Sequence, residues 1–285
     1  MRIEELDLPE EAIRCLTANG IQRLFPPQEM AIEKGLLDGK SLVVCSPTAS
    51  GKTLIAEIAA LKHVLDLGGK VLYLTPLRAL ATEKFHDFNG YRDLGISVAL
   101  STGDYDSDDP WLGDYNWIIT TNEKADSLLR HRAGWLRSIT LVVADEIHLI
   151  RDSKRGPTLE MVLAKLRKIG SNLQILALSA TIRNAEELAA WLGAELVKTN
   201  WRPVTLREGV YFSGEIYFDD DSRIPIPEVY SNPVDNLVVD CLSKKGQVLV
   251  FASTRSNAVS YARRLADKVK KFLSREENRY LAEIA

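Results

Sequence analysis

The chain has 285 residues, 46% of them apolar and 26% charged, and a formal net charge of −3 at pH 7. That is the balance of a globular protein, and it gives no general electrostatic case for a nucleic-acid surface, so any such surface must rest on particular residues. The length exceeds what one domain requires and falls short of two complete α/β domains. The N-terminus does not resemble a signal peptide, and no apolar run approaches the ~18 residues that span a membrane. A cytoplasmic protein without membrane contact is therefore expected. Cys15, Cys45 and Cys241 are widely separated and form no C-x-x-C pair, so neither a zinc site nor a disulfide framework is indicated.

From Pro9 to Asn19 the spacing predicts a short helix, with Glu10 and Glu11 in its first turn and Gly20 as its stop. Strands and helices then alternate. Ser41–Cys45, Lys70–Thr75, Ile96–Ser101, Trp117–Thr121, Ile139–Ala144 and Gln174–Ser179 are short apolar runs rich in Val, Ile and Leu, as strands covered on both faces should be. Leu54–Leu67, Ala79–Phe88, Lys124–Arg130, Thr158–Ile169 and Ala185–Leu192 read as the intervening helices. This rhythm predicts an α/β fold with a parallel sheet flanked by helices.

After Gly193 the pattern changes. Trp201 opens an extended stretch, and Glu215–Phe218 and Arg223–Ile226 flank the turn Asp219-Asp220-Asp221-Ser222 as a β-hairpin. From Val234 the rhythm resumes with a helix, a strand at Gln247–Ala252 and a long helix through Lys271. The expected division is a first domain over 1–200, a linker with its hairpin over 201–233, and the beginning of a second domain over 234–285.

The segment Ser46-Pro47-Thr48-Ala49-Ser50-Gly51-Lys52-Thr53 directly follows an apolar strand and opens a predicted helix. A phosphate loop needs converging backbone N–H groups at a helix N-terminus. Gly51 permits close approach, Lys52 sets a cation on the outer phosphates, and Thr53 offers a hydroxyl to Mg²⁺. Gly-Lys-Ser/Thr alone should occur by chance in roughly one chain of this length in seven, so the evidence lies in the strand before it and the helix after it. A second apolar strand delivers Asp145 and Glu146 at its carboxyl end, the edge where open parallel sheets bind ligands. Asp145 would hold Mg²⁺, and Glu146 would orient and deprotonate the attacking water.

Asp145-Glu146-Ile147-His148, the loop, and Ser179-Ala180-Thr181 together resemble the superfamily-two helicases. In that group the first loop position is commonly Ala, Ser or Thr, so Ser46 in place of Gly is a family variant. The resemblance implies a RecA-like first motor domain using ATP and Mg²⁺. It also implies an adenine-reading segment at Phe25-Pro26-Pro27-Gln28 and strand-gripping segments carrying Thr75, Pro76, Arg78, Thr121 and Lys124. Gly103 and Asp104 belong with these contacts. Val250-Phe251-Ala252-Ser253-Thr254-Arg255 is similar to the first motif of the second, here truncated, RecA-like domain, with Thr254 and Arg255 as contacts. His148 is expected to bond toward Ser179 or Thr181 and so to couple nucleotide state to strand grip.

Phe-Pro-Pro-Gln, Leu-Arg-Ala-Leu-Ala, Ser-Thr-Gly-Asp-Tyr and Asn-Trp-Arg-Pro-Val bring the chain closer to the archaeal DNA helicases of the Hjm type, in the Ski-like branch and related to the helicase half of polymerase theta. That implies a motor acting on single-stranded or branched DNA in repair, translocating 3′ to 5′. The family's later motifs and C-terminal domains are then expected beyond Ala285, leaving slow hydrolysis and no unwinding by these 285 residues. An RNA helicase of the same branch is the nearest alternative, because backbone contacts separate DNA from RNA only at the 2′-hydroxyl. A nucleotide-binding regulatory module that does not hydrolyse is the alternative from another class, against which the intact Lys52, Asp145 and Glu146 argue. No Asn-Lys-x-Asp guanine motif supports a GTPase.

Overall fold

The computed structural model describes residues 1–103, 108–170 and 172–284, which divide into a compact unit over Met1–Val204 and a second over Thr205–Ala285. Among the described residues, no helix is long and apolar enough to cross a membrane.

The first unit is built on seven strands: β1 Leu42–Cys45, β2 Lys70–Thr75, β3 Val98–Ser101, β4 Trp117–Thr121, β5 Ile139–Ala144, β6 Gln174–Ser179 and β7 Glu195–Lys198. They lie in the order β3-β4-β2-β5-β6-β1-β7, and every pairing is parallel. The helices are α1 Glu10–Ala18, α2 Pro26–Glu33, α3 Lys52–Leu61, α4 Arg78–Phe88, α5 Asn122–Arg130, α6 Gly156–Ile169 and α7 Ala185–Leu192. Helices α1 to α4 pack on one face of the sheet through Leu16, Ile55, Ile58, Ala81 and Phe88, against Leu42, Val71, Tyr73 and Trp117. The other face carries α5 to α7, whose Leu128, Leu163 and Leu188 pack against Val43, Leu72 and Val142. Because successive strand residues point to opposite faces, strands enclosed this way must be apolar throughout, as Leu42-Val43-Val44-Cys45 is.

Several boundaries differ from those the sequence predicts. The third strand begins at Val98 rather than Ile96, and the helix expected to reach Leu67 changes at Leu61 into a π-turn over Lys62–Asp66. That turn carries His63 beneath the amino ends of the strands. There Gln174 donates its amide N–H groups to the carbonyls of Leu36 (2.8 Å) and Lys40 (2.7 Å), so its Oε1 accepts from His63 Nε2 at 2.6 Å. His63 Nδ1 lies 2.9 Å from Thr140 Oγ1. Burial lowers the His63 pKa below its ordinary 6.5, opposed by the bond to Gln174. The unfolded chain therefore takes up a proton first, and stability that is complete above pH 6.5 is lost as pH falls toward the folded-state pKa. The midpoint of thermal unfolding should drop between pH 7 and pH 5 in the wild type and drop less in His63→Gln. Parallel pH profiles would remove His63 from this role.

The second unit holds an antiparallel meander of β8 Gly209–Phe212, β9 Glu215–Phe218 and β10 Arg223–Pro225, followed by α8 Pro233–Ser243, α9 Arg255–Val269 and α10 Arg275–Ile284. The expected hairpin is its β9–β10 half. The β8–β9 half turns through Ser213 (φ 46°) and Gly214 (φ 78°), both in the left-handed region that tight hairpins require. Buried Asp235 on α8 binds Arg264 (3.0 Å) and Lys268 (3.1 Å) on α9. The strand expected at Gln247–Ala252 is not formed. A strand needs neighbours for its backbone N–H and C=O groups, and no strand of the second unit lies beside this segment; Phe251 is 86% exposed.

Candidate nucleotide site and the adjoining groove

The phosphate loop leaves the carboxyl end of β1 and ends at Gly51, the residue capping the N-terminus of α3. Gly51 adopts φ 82°, a left-handed backbone that favours glycine, and a Cβ there would displace the Gln28 amide, whose Nε2 would lie 2.2 Å away. Ala49 is also left-handed (φ 62°), which turns the loop over the helix end. Ser46 is fully buried; its N–H donates to the Ser179 carbonyl at 3.2 Å, and its Oγ lies 2.7 Å from Ser50 Oγ. The serine at the first loop position is thus a cross-brace of the turn. Lys52 Nζ donates to the carbonyls of Ser46 (2.8 Å) and Pro47 (2.9 Å), placing its charge inside the loop. Burial lowers the Lys52 pKa, while Glu146 and Asp145 pull it back up.

The acids stand two strands away, with the end of β6 and Ser179 between them and the loop. Asp145 Oδ2 accepts from the Tyr73 hydroxyl at 2.9 Å, and Oδ1 accepts from the Glu146 N–H at 2.9 Å. Tyr73 is fully buried on β2 beneath the edge of Phe88, centroids 5.3 Å apart; burial and then the Asp145 charge raise its pKa well above the ordinary tyrosine value. It therefore serves as a fixed donor that orients the carboxylate. Sequence reasoning missed Tyr73, which looks like one more apolar residue of a buried strand. Glu146 sits in the left-handed region (φ 52°), turning the chain out of β5. Thr53 and Asp145 offer only hard oxygen ligands, the chemistry that a Mg²⁺ would require of them.

His148 Nδ1 lies 3.2 Å from Glu146 Oε2. The expected bond to Ser179 or Thr181 is not made: Ser179 Oγ is buried without a hydrogen-bond partner, and Thr181 is exposed. At the opposite rim, Phe25 precedes α2 with its N–H donating to Gln28 Oε1 at 2.7 Å. Gln28 is buried and donates through Nε2 to the Gly51 carbonyl at 3.0 Å. The side chain expected to read a base is here bonded to the phosphate loop itself.

A groove of about 430 Å³ lies at the carboxyl ends of β2 to β4, lined by Pro76, Leu77, Arg78, Gly103, Thr121, Lys124, Arg130 and Arg155 among others. It gathers five of the expected strand contacts, but with different roles. Arg78 and Gly103 are exposed. Thr121 Oγ1 accepts from the Lys124 N–H at 3.3 Å as the cap of α5. The Lys124 ammonium is buried against Asp109 at 2.9 Å, so it secures the groove wall instead of offering free charge. Thr75 is buried and donates to the Leu77 carbonyl at 3.1 Å. Asp104 lies outside the described residues. Arg130 and Arg155 were not read from the sequence, because only folding brings the end of α5 and the residue before α6 to one groove. Thr254 caps α9 and Arg255 begins it, both within the second unit.

A phosphate loop opening a helix, with a half-buried lysine inside it and a pair of acids at the end of a parallel strand two places along the sheet, defines a RecA-like P-loop domain. The chain belongs to the DEAD/DEAH box helicases, whose family model matches residues 25–188. It is 49% identical to the ATP-dependent DNA helicase Hel308 of Methanocella arvoryzae, over 100% of this chain and 39% of that protein. It is 48% identical to the Hel308 of Thermococcus kodakarensis, over 100% of this chain and 25% of that one. The crystal structure of the DUF1998 helicase MrfA superposes with a TM-score of 0.72 at 26% identity, covering 93% of this chain and 41% of that one. A form of MrfA bound to DNA and AMPPNP gives 0.66 at 25% identity, over 87% and 36%. This chain thus spans between a quarter and two-fifths of the length of the two Hel308 proteins. Membership of the family implies ATP as the nucleotide.

Proposed function

We propose that this chain is the motor portion of an ATP-dependent DNA helicase, binding Mg·ATP at the phosphate loop and single-stranded or branched DNA along the adjoining groove. The observation that carries the reading is the junction of the two sites. Strand β2 supplies Tyr73 to Asp145 and, three to five residues on, Pro76 and Arg78 to the groove. The Lys52 ammonium and the N–H groups at the start of α3 receive the phosphates. Thr53 and Asp145 would hold Mg²⁺, which when bound neutralises charge on the phosphate oxygens. Glu146 takes the proton of the attacking water. In the groove, Arg78, Arg130 and Arg155 meet the sugar–phosphate backbone without reading bases.

Domain boundaries follow the chain: a motor domain to about residue 200, a linker with the meander, and the start of a second motor domain in which Thr254 and Arg255 would make further strand contacts. The test is a fluorescence-anisotropy titration with matched single-stranded DNA and RNA at several salt concentrations. Binding should weaken with salt and favour DNA. Arg155→Ala should weaken it for all sequences alike and reduce the salt slope by about one. Salt-independent binding would reject the groove, and tighter binding to RNA would favour the RNA-helicase reading.

A further inference from the structure

Phe25 and Trp201 come from opposite ends of the first unit and meet beside the phosphate loop, with ring centroids 4.8 Å apart and planes at 42°. Phe25 is fixed from one side: its backbone caps α2 through Gln28, and its Cδ2 lies 3.5 Å from where a Cβ of Gly51 would sit. Trp201 is fixed from the other. Strand β7 pairs with β1 as far as Lys198 opposite Cys45, and the Thr199 N–H then donates to the Cys45 carbonyl at 3.1 Å. The Trp201 N–H in turn donates to Thr199 Oγ1 at 3.1 Å. The indole therefore hangs from the same strand end that launches the phosphate loop.

The ring pair is not core. Phe25 is 42% exposed and Trp201 is half-buried, so the two form a water-facing aromatic wall at the rim of the site. Aromatic faces held in this way favour a flat partner that covers them. Next along the chain, Arg202 is close enough that its charge helps to hold the Lys52 pKa down, which adds cationic character to the same wall.

We propose that Trp201 is a positioning residue of the nucleotide site: it braces Phe25 as a stacking wall for the base and so favours a purine over a pyrimidine nucleotide. The inference rests on the reading of the loop as an ATP site. The indole acts through Phe25, and the phosphates are held elsewhere. Its removal should therefore weaken the base contact and spare the phosphate contact.

Calorimetric titration of ADP, CDP and inorganic pyrophosphate into wild type, Trp201→Ala, Trp201→Phe, Phe25→Ala and the Phe25/Trp201 double alanine variant tests this. Trp201→Ala should weaken ADP by about two- to tenfold, narrow the ADP-to-CDP ratio and leave pyrophosphate unchanged. Trp201→Phe should restore most of the ratio, and the double variant should bind ADP no more weakly than Phe25→Ala alone. An unchanged ADP-to-CDP ratio in Trp201→Ala, or an equal loss for ADP and pyrophosphate, would overturn the brace while leaving the ATP site standing. A wild type that binds neither ADP nor pyrophosphate would overturn the site, and the brace with it.

Discussion

Replacing Glu146 with glutamine should slow ATP turnover by about two to four decades while leaving ADP affinity unchanged. The side chain leaves β5 on a left-handed residue, one position beyond Asp145, and its carboxylate makes no hydrogen bond or ion pair to Lys52, whose ammonium bonds the loop carbonyls instead. It is thus placed to accept a proton from water and not to hold a diphosphate. Glutamine keeps the shape and loses the base. The loop's own hydrogen bonds, Lys52 to Ser46 and Pro47 and Ser46 to Ser50, do not involve Glu146, so they survive the substitution and ADP affinity should not fall. Single-turnover hydrolysis with enzyme in excess over ATP gives the rate, and ADP calorimetry gives the affinity. Turnover within tenfold of wild type would assign the base elsewhere, and a parallel loss of ADP affinity would mean that Glu146 supports the loop itself.

The sheet was legible where its strands are enclosed. Strands β1, β2, β4, β5 and β6 announce themselves as runs dominated by Val, Ile and Leu, because both faces are covered and the polar positions fall mostly at the strand ends. Edge and surface elements give no such signal. Glu-Leu-Val-Lys of β7 is only four residues long, is charged at both ends and starts two residues after Gly193, so it merges with the loop before it. Helix α2 begins with two prolines and shows weak periodicity, so its sequence stands out only at Phe25 and Gln28. The opposite error occurred at Gln247–Ala252, whose Val-Leu-Val-Phe reads as a strand although no neighbouring strand receives it.

In the site, the residue types that chemistry demands were legible: Gly51, Lys52 and Thr53 in the loop, and Asp145 and Glu146 at the strand end. What those residues lean on was not. Tyr73 beneath Asp145, Asp109 against Lys124, and Trp201 against Phe25 are contacts between residues remote in sequence, and no local pattern marks them. The state of Gln28 was illegible for a different reason. A glutamine can serve a base or a backbone carbonyl with the same atoms, and only the fold shows it bonded to Gly51.

The central claim is that nucleotide phosphates bind where Lys52 now meets the Ser46 and Pro47 carbonyls. Lys52→Ala removes a charge-assisted contact of roughly 1.5–3 kcal/mol, about one to two decades in affinity. The substitution truncates a half-buried side chain and takes no partner from the sheet, so the fold should survive it. Isothermal titration of ADP with Mg²⁺ into the wild type and Lys52→Ala compares the two directly. The structure predicts saturable one-to-one binding by the wild type and a 10- to 100-fold weaker association by the variant. Equal ADP affinity in the two proteins would contradict it.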